Sequence, residues 1–261
     1  MLILILIPIL ILLLILLIIF LTYAPSLSQK NTFIANPSAT NISFFSQRDT
    51  NNFLLLDLDN YILNMSKIDL KARGVSSGTN EYYKQLSASL ATDFSQKEKQ
   101  ELLSLMNMVK NNFKNTIYAP IFEHNIIFAK TDKGKYENGF PHTRYNIIFL
   151  SPLFFKQSWK SWKNQLNILE HECIHIFQRF YPIDTEKYLN SMGFQKKGDF
   201  KTLFPEQYRL KRSNPDIDNN IWTDLSGNFM FPIYSSEDPK SLNDVLSHDM
   251  EHPYEWMAYR N

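Results

Sequence analysis

Apolar positions divide the chain into segments of different period. Residues 2–21 are apolar without interruption, with Pro8 among them. At 1.5 Å rise per residue, a helix over this run reaches roughly 30 Å, the thickness of a bilayer's hydrocarbon core. A proline within the first two turns costs such a helix few backbone bonds. The run predicts a single membrane-spanning anchor over residues 1–22. Ser, Thr, Asn and Gln then dominate residues 23–52 without any persistent period, which predicts a tether. From Phe53 apolar residues recur at helical spacing through Leu58, Tyr61, Ile62, Met65, Ile68 and Leu70, predicting a first helix that ends near Arg73-Gly74. Ser95-Gln96-Lys97-Glu98 is a capping box, in which serine and glutamate each satisfy an orphan amide. It opens a helix through Leu102, Leu103, Leu105, Met106 and Val109. Residues 53–115 therefore read as a helical subregion.

The period changes beyond residue 115. Short apolar runs at 125–129 and 145–150, separated by Lys133-Gly134 and Asn138-Gly139, predict two strands. A long helix is expected over residues 158–180, stopped by Pro182. Short, turn-rich pieces follow, such as Ser213-Asn214-Pro215-Asp216, and Pro253 opens a last helix. The expected organisation is an anchor over 1–22, a tether over 23–52 and one domain over 53–261. Its second part, 116–261, carries the sheet and the remaining helices.

Charge changes little in this picture. The chain carries 27 basic and 26 acidic residues, a balance that gives no footprint for nucleic acid. One cysteine, Cys173, excludes an intrachain disulfide. A cleaved signal peptide, giving a secreted protein, is the alternative to a retained anchor. It fits poorly: no Lys or Arg precedes the apolar run, the run is long, and Pro25 follows Ala24. The side of the membrane stays open, because the nearest basic residues, Lys30 and Arg48, both lie downstream.

Chemistry concentrates in His171-Glu172-Cys173-Ile174-His175. On a helix the two imidazoles stand one turn apart on one face and can share one metal ion, for which zinc is the expected identity. Glu172 lies about 100° round from His171, beside that ion, where it can take a proton from an attacking water and later deliver it to a leaving amine. Leu166, Leu169, Cys173, Ile176 and Phe180 form an apolar stripe on the opposite side, so Cys173 reads as a core residue. Gln178, seven positions after His171, returns to the ligand face. A catalytic zinc needs a third protein ligand. The extended motif with a further glycine and histidine is absent, Gln178 and Tyr181 standing in those places. Candidate donors are Glu255, Glu186, Asp216, Asp224, His248, Asp249, Glu251 and His252.

His252-Pro253-Tyr254-Glu255-Trp256-Met257-Ala258 contains a Glu-x-x-Ala on the predicted last helix. Together with His171, Glu172 and His175, it resembles the gluzincin clan of zinc metallopeptidases. The resemblance covers little more than two helices, and Glu255 follows His175 at a longer interval than in compact members of the clan. It implies that Glu255 completes the zinc site and that Ala258 lets the last helix approach the first. It also implies an α+β, zincin-like fold, mostly helical, with a small mixed sheet beside the zinc helix. Gluzincins lay substrate along an edge strand just before that helix, a place the run at 145–150 would take, with His142 preceding it. His142, Tyr254, Tyr259 and Tyr208 are candidate donors to the developing oxyanion. The expected function is a membrane-anchored zinc peptidase acting on peptide or protein substrates. The same site could serve another amide or ester, and a tethered interaction protein with a structural metal is the non-enzymatic alternative.

Overall fold

The computed structural model describes residues 42–75, 78–132, 136–156, 162–246 and 252–260. The apolar run 2–21, and with it the expected anchor, lies outside them. Among the described residues no helix is long and apolar enough to cross a membrane. These residues form an α+β fold with a small mixed sheet and a second, antiparallel one.

Order begins before Phe53. Strand β1 (Ile42–Phe44) pairs in parallel with β3 (Ile126–Thr131), and helix α1 (Gln47–Leu56) opens on a capping box between Ser46 and Asp49. The part of the expected tether from Ile42 to Asn52 is thus built into the domain. Its Ser/Asn-rich composition reflects a short strand and a helix cap, not a linker. The first helix is likewise broken where apolar spacing predicts continuity. Asp57 adopts a left-handed conformation (φ 44°) and its carboxylate accepts from the amides of Ile62 and Leu63 at 3.1 and 2.8 Å. Local side-chain bonds of this kind compete with helix. The chain restarts as α2 (Lys67–Ala72), capped by Ser66. Helix α3 (Asn80–Ser89) follows, capped by Thr79.

The capping box at Ser95 opens α4 (Gln96–Phe113) as expected, and Glu98 additionally pairs with Lys130 at 2.8 Å. Replacing Ser95 by alanine is expected to cost about 1 kcal/mol, measured as a lower denaturant midpoint at unchanged slope.

The main sheet grows around β3. Strand β5 (Ile147–Leu150) pairs with it in parallel on one edge, while β1 and the short antiparallel β2 (Ala91–Thr92) share the other. Outermost beyond β5 lies β4 (His142–Arg144), antiparallel, so the expected strand at 145–150 is internal and β4 forms the edge. Alternation along the strands sends Ile126, Phe128, Ile148 and Leu150 to one face and Ile127, Ala129, Ile147 and Phe149 to the other. The first set packs with α4 and with α5 (Trp162–Phe180). The second packs with residues of the α1–α3 region, including Phe53, Leu54, Ile62, Leu70 and Tyr83. Pro182 does end α5, but it also occupies the first turn of a new helix, α6 (Pro182–Ser191), where its missing amide is harmless.

The chain then forms the second sheet from β6 (Gln195–Asp199), β7 (Asn220–Thr223) and β8 (Phe229–Met230), with two one-turn helices, α7 (Phe200–Leu203) and α8 (Pro205–Tyr208), between β6 and β7. Helix α9 (Pro253–Tyr259) returns to pack on α5.

Candidate metal centre and active site

Helix α5 buries Leu169, Cys173 and Ile176 of the expected stripe, together with Ile174 and Phe177, against the sheet and α4, while Leu166 is half-buried and Phe180 is exposed. Cys173 is fully buried there and far from any ligand role. The stripe sets the rotation of the helix and so turns the two histidines away from the core. Their Nε2 atoms lie 2.9 Å apart.

Two polar contacts fix these rings. The side-chain amide of Gln178 donates to the Tyr254 carbonyl at 2.9 Å, so its oxygen must face His175 Nδ1, 2.8 Å away. His175 therefore donates from Nδ1, which leaves Nε2, on the His171 side, as the atom that takes up or gives up a proton or a metal ion.

Helix α9 brings the third donor. His252 caps it by accepting from the Tyr254 amide at 3.2 Å, and Ala258, buried, allows close packing on α5. Glu255 Oε2 then stands 3.3 Å from His171 Nε2 and 3.5 Å from His175 Nε2. The other carboxylate oxygen accepts from Asn214 Nδ2 at 2.7 Å. Three donors at these separations share a point about 1.9 Å from each, close to the roughly 2.0–2.2 Å of zinc–imidazole and zinc–carboxylate bonds. Among the described residues, these three form the His/Cys/Asp/Glu group able to hold a metal ion.

Electrostatics point to a cation between them. Burial lowers the proton affinity of His175, but the Asp216, Glu255 and Glu172 carboxylates outweigh it and raise its pKa to about 9. Burial acts on Glu255 in the opposite direction, yet His175 and His171 hold its carboxyl well below the usual range. The surrounding carboxylates thus favour positive charge at His175.

Glu172 completes the arrangement. It is buried at 3 % exposure and its Oε2 has no hydrogen-bond partner. Burial first, and then the Asp216 charge, push its carboxyl well above the ordinary value. It shares with His171 and Glu255 a cleft of about 740 Å³, a volume suited to a small ligand or a short stretch of peptide.

No protein-family model, no curated protein and no solved structure matches this chain. The role of each residue rests on the geometry around it.

Two sequence-based expectations land elsewhere. Tyr254 is not part of the cleft wall, and its hydroxyl hydrogen-bonds Asp218 at 3.2 Å. Tyr259, one turn on and on the same face as Glu255, does line the cleft, its ring 4.5 Å from that of His171. His142 reaches the cleft from the wrong side to serve the histidine pair. Paired with Phe149, it shares the sheet face opposite α5, whereas Thr143, paired with Ile148, faces the helix. It also cannot donate to an oxyanion. Its Nδ1 bonds the Phe140 carbonyl at 2.9 Å and so carries the proton, leaving Nε2 an acceptor.

Of the other donors considered, His252 pairs with Asp218 at 3.1 Å, Glu186 reaches Lys196 and Asp224 closes a turn with Asn228. Tyr208 packs on Phe200. His248, Asp249 and Glu251 lie outside the described residues.

Asp216, a candidate third donor in the sequence, is not part of the three-residue metal group but belongs to a strap, Ser213–Asp216, that supports it. Asp216 accepts from the Thr143 amide at 2.8 Å, from the Thr143 hydroxyl and from Arg179. Arg179 also holds the Pro215 carbonyl, and the Asp216 amide donates to Asn214 Oδ1 at 2.9 Å. The far end is tied down where Ser213 donates twice to buried Asp69 at 2.8 Å. Asn214 thereby meets Glu255 from a fixed position.

Proposed function

We propose that the protein is a zinc-dependent peptidase of gluzincin type with a zincin-like fold, held at a membrane by its N-terminal apolar run. One observation carries this reading. Three donor atoms, 2.9, 3.3 and 3.5 Å apart, converge in a cleft beside an unpartnered, buried carboxyl. His171, His175 and Glu255 would hold a zinc ion, which would supply a Lewis acid to polarise a carbonyl and make water nucleophilic near neutral pH.

The chain's own residues divide the remaining work. Gln178 and Asn214 orient the donors, each leaving one lone pair directed into the cluster. Glu172 takes the proton of the attacking water and holds it until the leaving amine accepts it. Burial and the Asp216 charge raise its proton affinity above that of an ordinary carboxylate, and a neighbouring cation would act against that rise. Tyr259, in place of Tyr254, is the phenol positioned to donate to the carbonyl oxygen as charge develops there.

Removing the Asn214 amide takes away the hydrogen bond that fixes the outer carboxylate oxygen of Glu255. Asn214→Ala is expected to weaken zinc binding about 10–100-fold, read by competition with a coloured chelator.

The reading as a whole is tested with the full chain in detergent. Zinc content is measured by atomic emission, and hydrolysis of a mixed peptide library by mass spectrometry, with and without a chelator. One zinc per chain and chelator-sensitive cleavage are expected. A zinc-loaded protein that cleaves no member of the library would refute the peptidase reading.

A further inference from the structure

Strand β4 is outermost in the main sheet, and Phe140, Pro141 and His142, at and before its start, line the cleft. An outer strand beside an active site offers unpaired amides and carbonyls, to which an extended peptide can add as one more strand. Here that row is taken. All three residues of β4 are buried, and Thr143 is 0 % exposed. The Thr143 amide donates to Asp216 Oδ1 at 2.8 Å, and the Thr143 carbonyl accepts from Arg179 at 3.0 Å. In an antiparallel ladder both main-chain groups of a residue point the same way. Thr143 thus turns its pair outward, while His142 and Arg144 turn theirs to β5. The outward positions two residues to either side give no better hold. Pro141 has no amide hydrogen, and the Tyr145 carbonyl accepts from Arg179 at 3.4 Å.

The closure is tied to the metal centre. Arg179 stands one turn beyond His175 on α5 and also holds the Pro215 carbonyl, so one guanidinium joins helix, edge and strap. The same strap carries Asn214 to Glu255, and Ser213 fastens its other end to Asp69. Lifting the strap to expose β4 would release the contact that fixes a metal donor. With the donors in place, the sheet edge is shut.

We propose that the cleft takes short amide substrates, held through the side chains and ends next to the scissile bond, and does not bind an extended polypeptide by strand addition to β4. Its accessible walls include side chains such as the exposed Phe140 and Tyr259. Residues farther along a peptide find no main-chain partner at this edge and gain no affinity from it. The inference rests on the peptidase reading, because it names the substrates of that reaction.

The test uses the zinc-loaded full chain in detergent and the peptides it cleaves best. Each non-scissile amide flanking the cut is replaced in turn by an ester, which removes one N–H, and a matched series is lengthened one residue at a time. Every ester is expected to change kcat/KM by less than about threefold, whereas a strand-adding substrate loses about tenfold per deleted hydrogen bond. No gain is expected on lengthening beyond the residues beside the cut. Tenfold losses, or a steady gain with length, overturn the proposal. A second measurement needs no turnover: hydrogen exchange at the Thr143 amide, followed by NMR in the zinc-loaded protein alone. Protection matching that of the internal strand β5 is expected before any peptide is added, and rapid exchange there overturns the closure. If the zinc-loaded wild type hydrolyses no peptide, long or short, the peptidase reading falls instead, and Thr143 exchange decides the closure by itself.

Discussion

Glu172→Gln is expected to leave one zinc per chain and to lower kcat for peptide hydrolysis by roughly 10³-fold, within the range a positioned general base contributes. The substitution is close to isosteric and removes only the ability to accept a proton. It does not touch the three donors, whose contacts run to Gln178, Asn214 and one another. The fold is expected to tolerate it. Without metal, burial and the Asp216 charge already favour the neutral, protonated carboxyl at this position, and glutamine resembles that form. Thermal stability of the metal-free variant is therefore expected to equal or exceed that of the wild type. Metal analysis, steady-state kinetics and a thermal melt check the three statements. Cleavage within about tenfold of the wild type would remove Glu172 from the role of base.

What could be foreseen of this site follows the distance over which each feature is encoded. The His171/Glu172/His175 arrangement depends on one helical turn, and the apolar residues on the other side of α5 fix the rotation of that turn. Both facts are local and both were legible. Glu255 came through the likeness of a short motif, and α9 delivers it because Pro253 and the His252 cap start the helix where the sequence suggested. His142 shows the limit. Its neighbours in sequence do not say which sheet face it takes, since that is set by the pairing of β4 with β5. A three-residue strand leaves too short a period to recognise.

The strap was hidden for a similar reason. Asn214-Pro215-Asp216 looks like an ordinary turn, and only Thr143, Arg179 and Asp69, distant in sequence, make it a support for Glu255. The Asn-Pro-Asp run was its one visible signal. In the same way, the break after Leu56 turned on whether Asp57 would bond the backbone locally or leave the helix intact, and apolar spacing carries no information on that contest.

Glu255→Ala is expected to reduce zinc affinity at least 100-fold and, with it, hydrolysis at limiting zinc. Two imidazoles remain, but a ligand is lost outright, a larger change than the loss of a supporting contact. The same substitution changes how the metal-free cluster titrates. In the wild type, the His175 pKa of about 9 is held up by Asp216 first and Glu255 next. Because the folded value lies above the ordinary one near 6.5, the protonated imidazole contributes stability that is complete below about pH 6.5 and is lost as pH rises through about 9. Zinc must displace that proton. Wild-type affinity is therefore expected to climb by up to about tenfold per pH unit and to level off above about pH 9. Without Glu255 the His175 pKa falls toward its ordinary value, so the levelling moves to lower pH along with the loss in affinity. Chelator competition across pH 6 to 10, with the His175 resonance followed by NMR, separates a lost ligand from a damaged fold. Unfolding would abolish the His175 shift and binding together, whereas loss of the ligand alone leaves a weaker site that titrates lower. Equal zinc affinity in the variant and the wild type would exclude Glu255 from the coordination sphere and leave the histidine pair in need of another third donor.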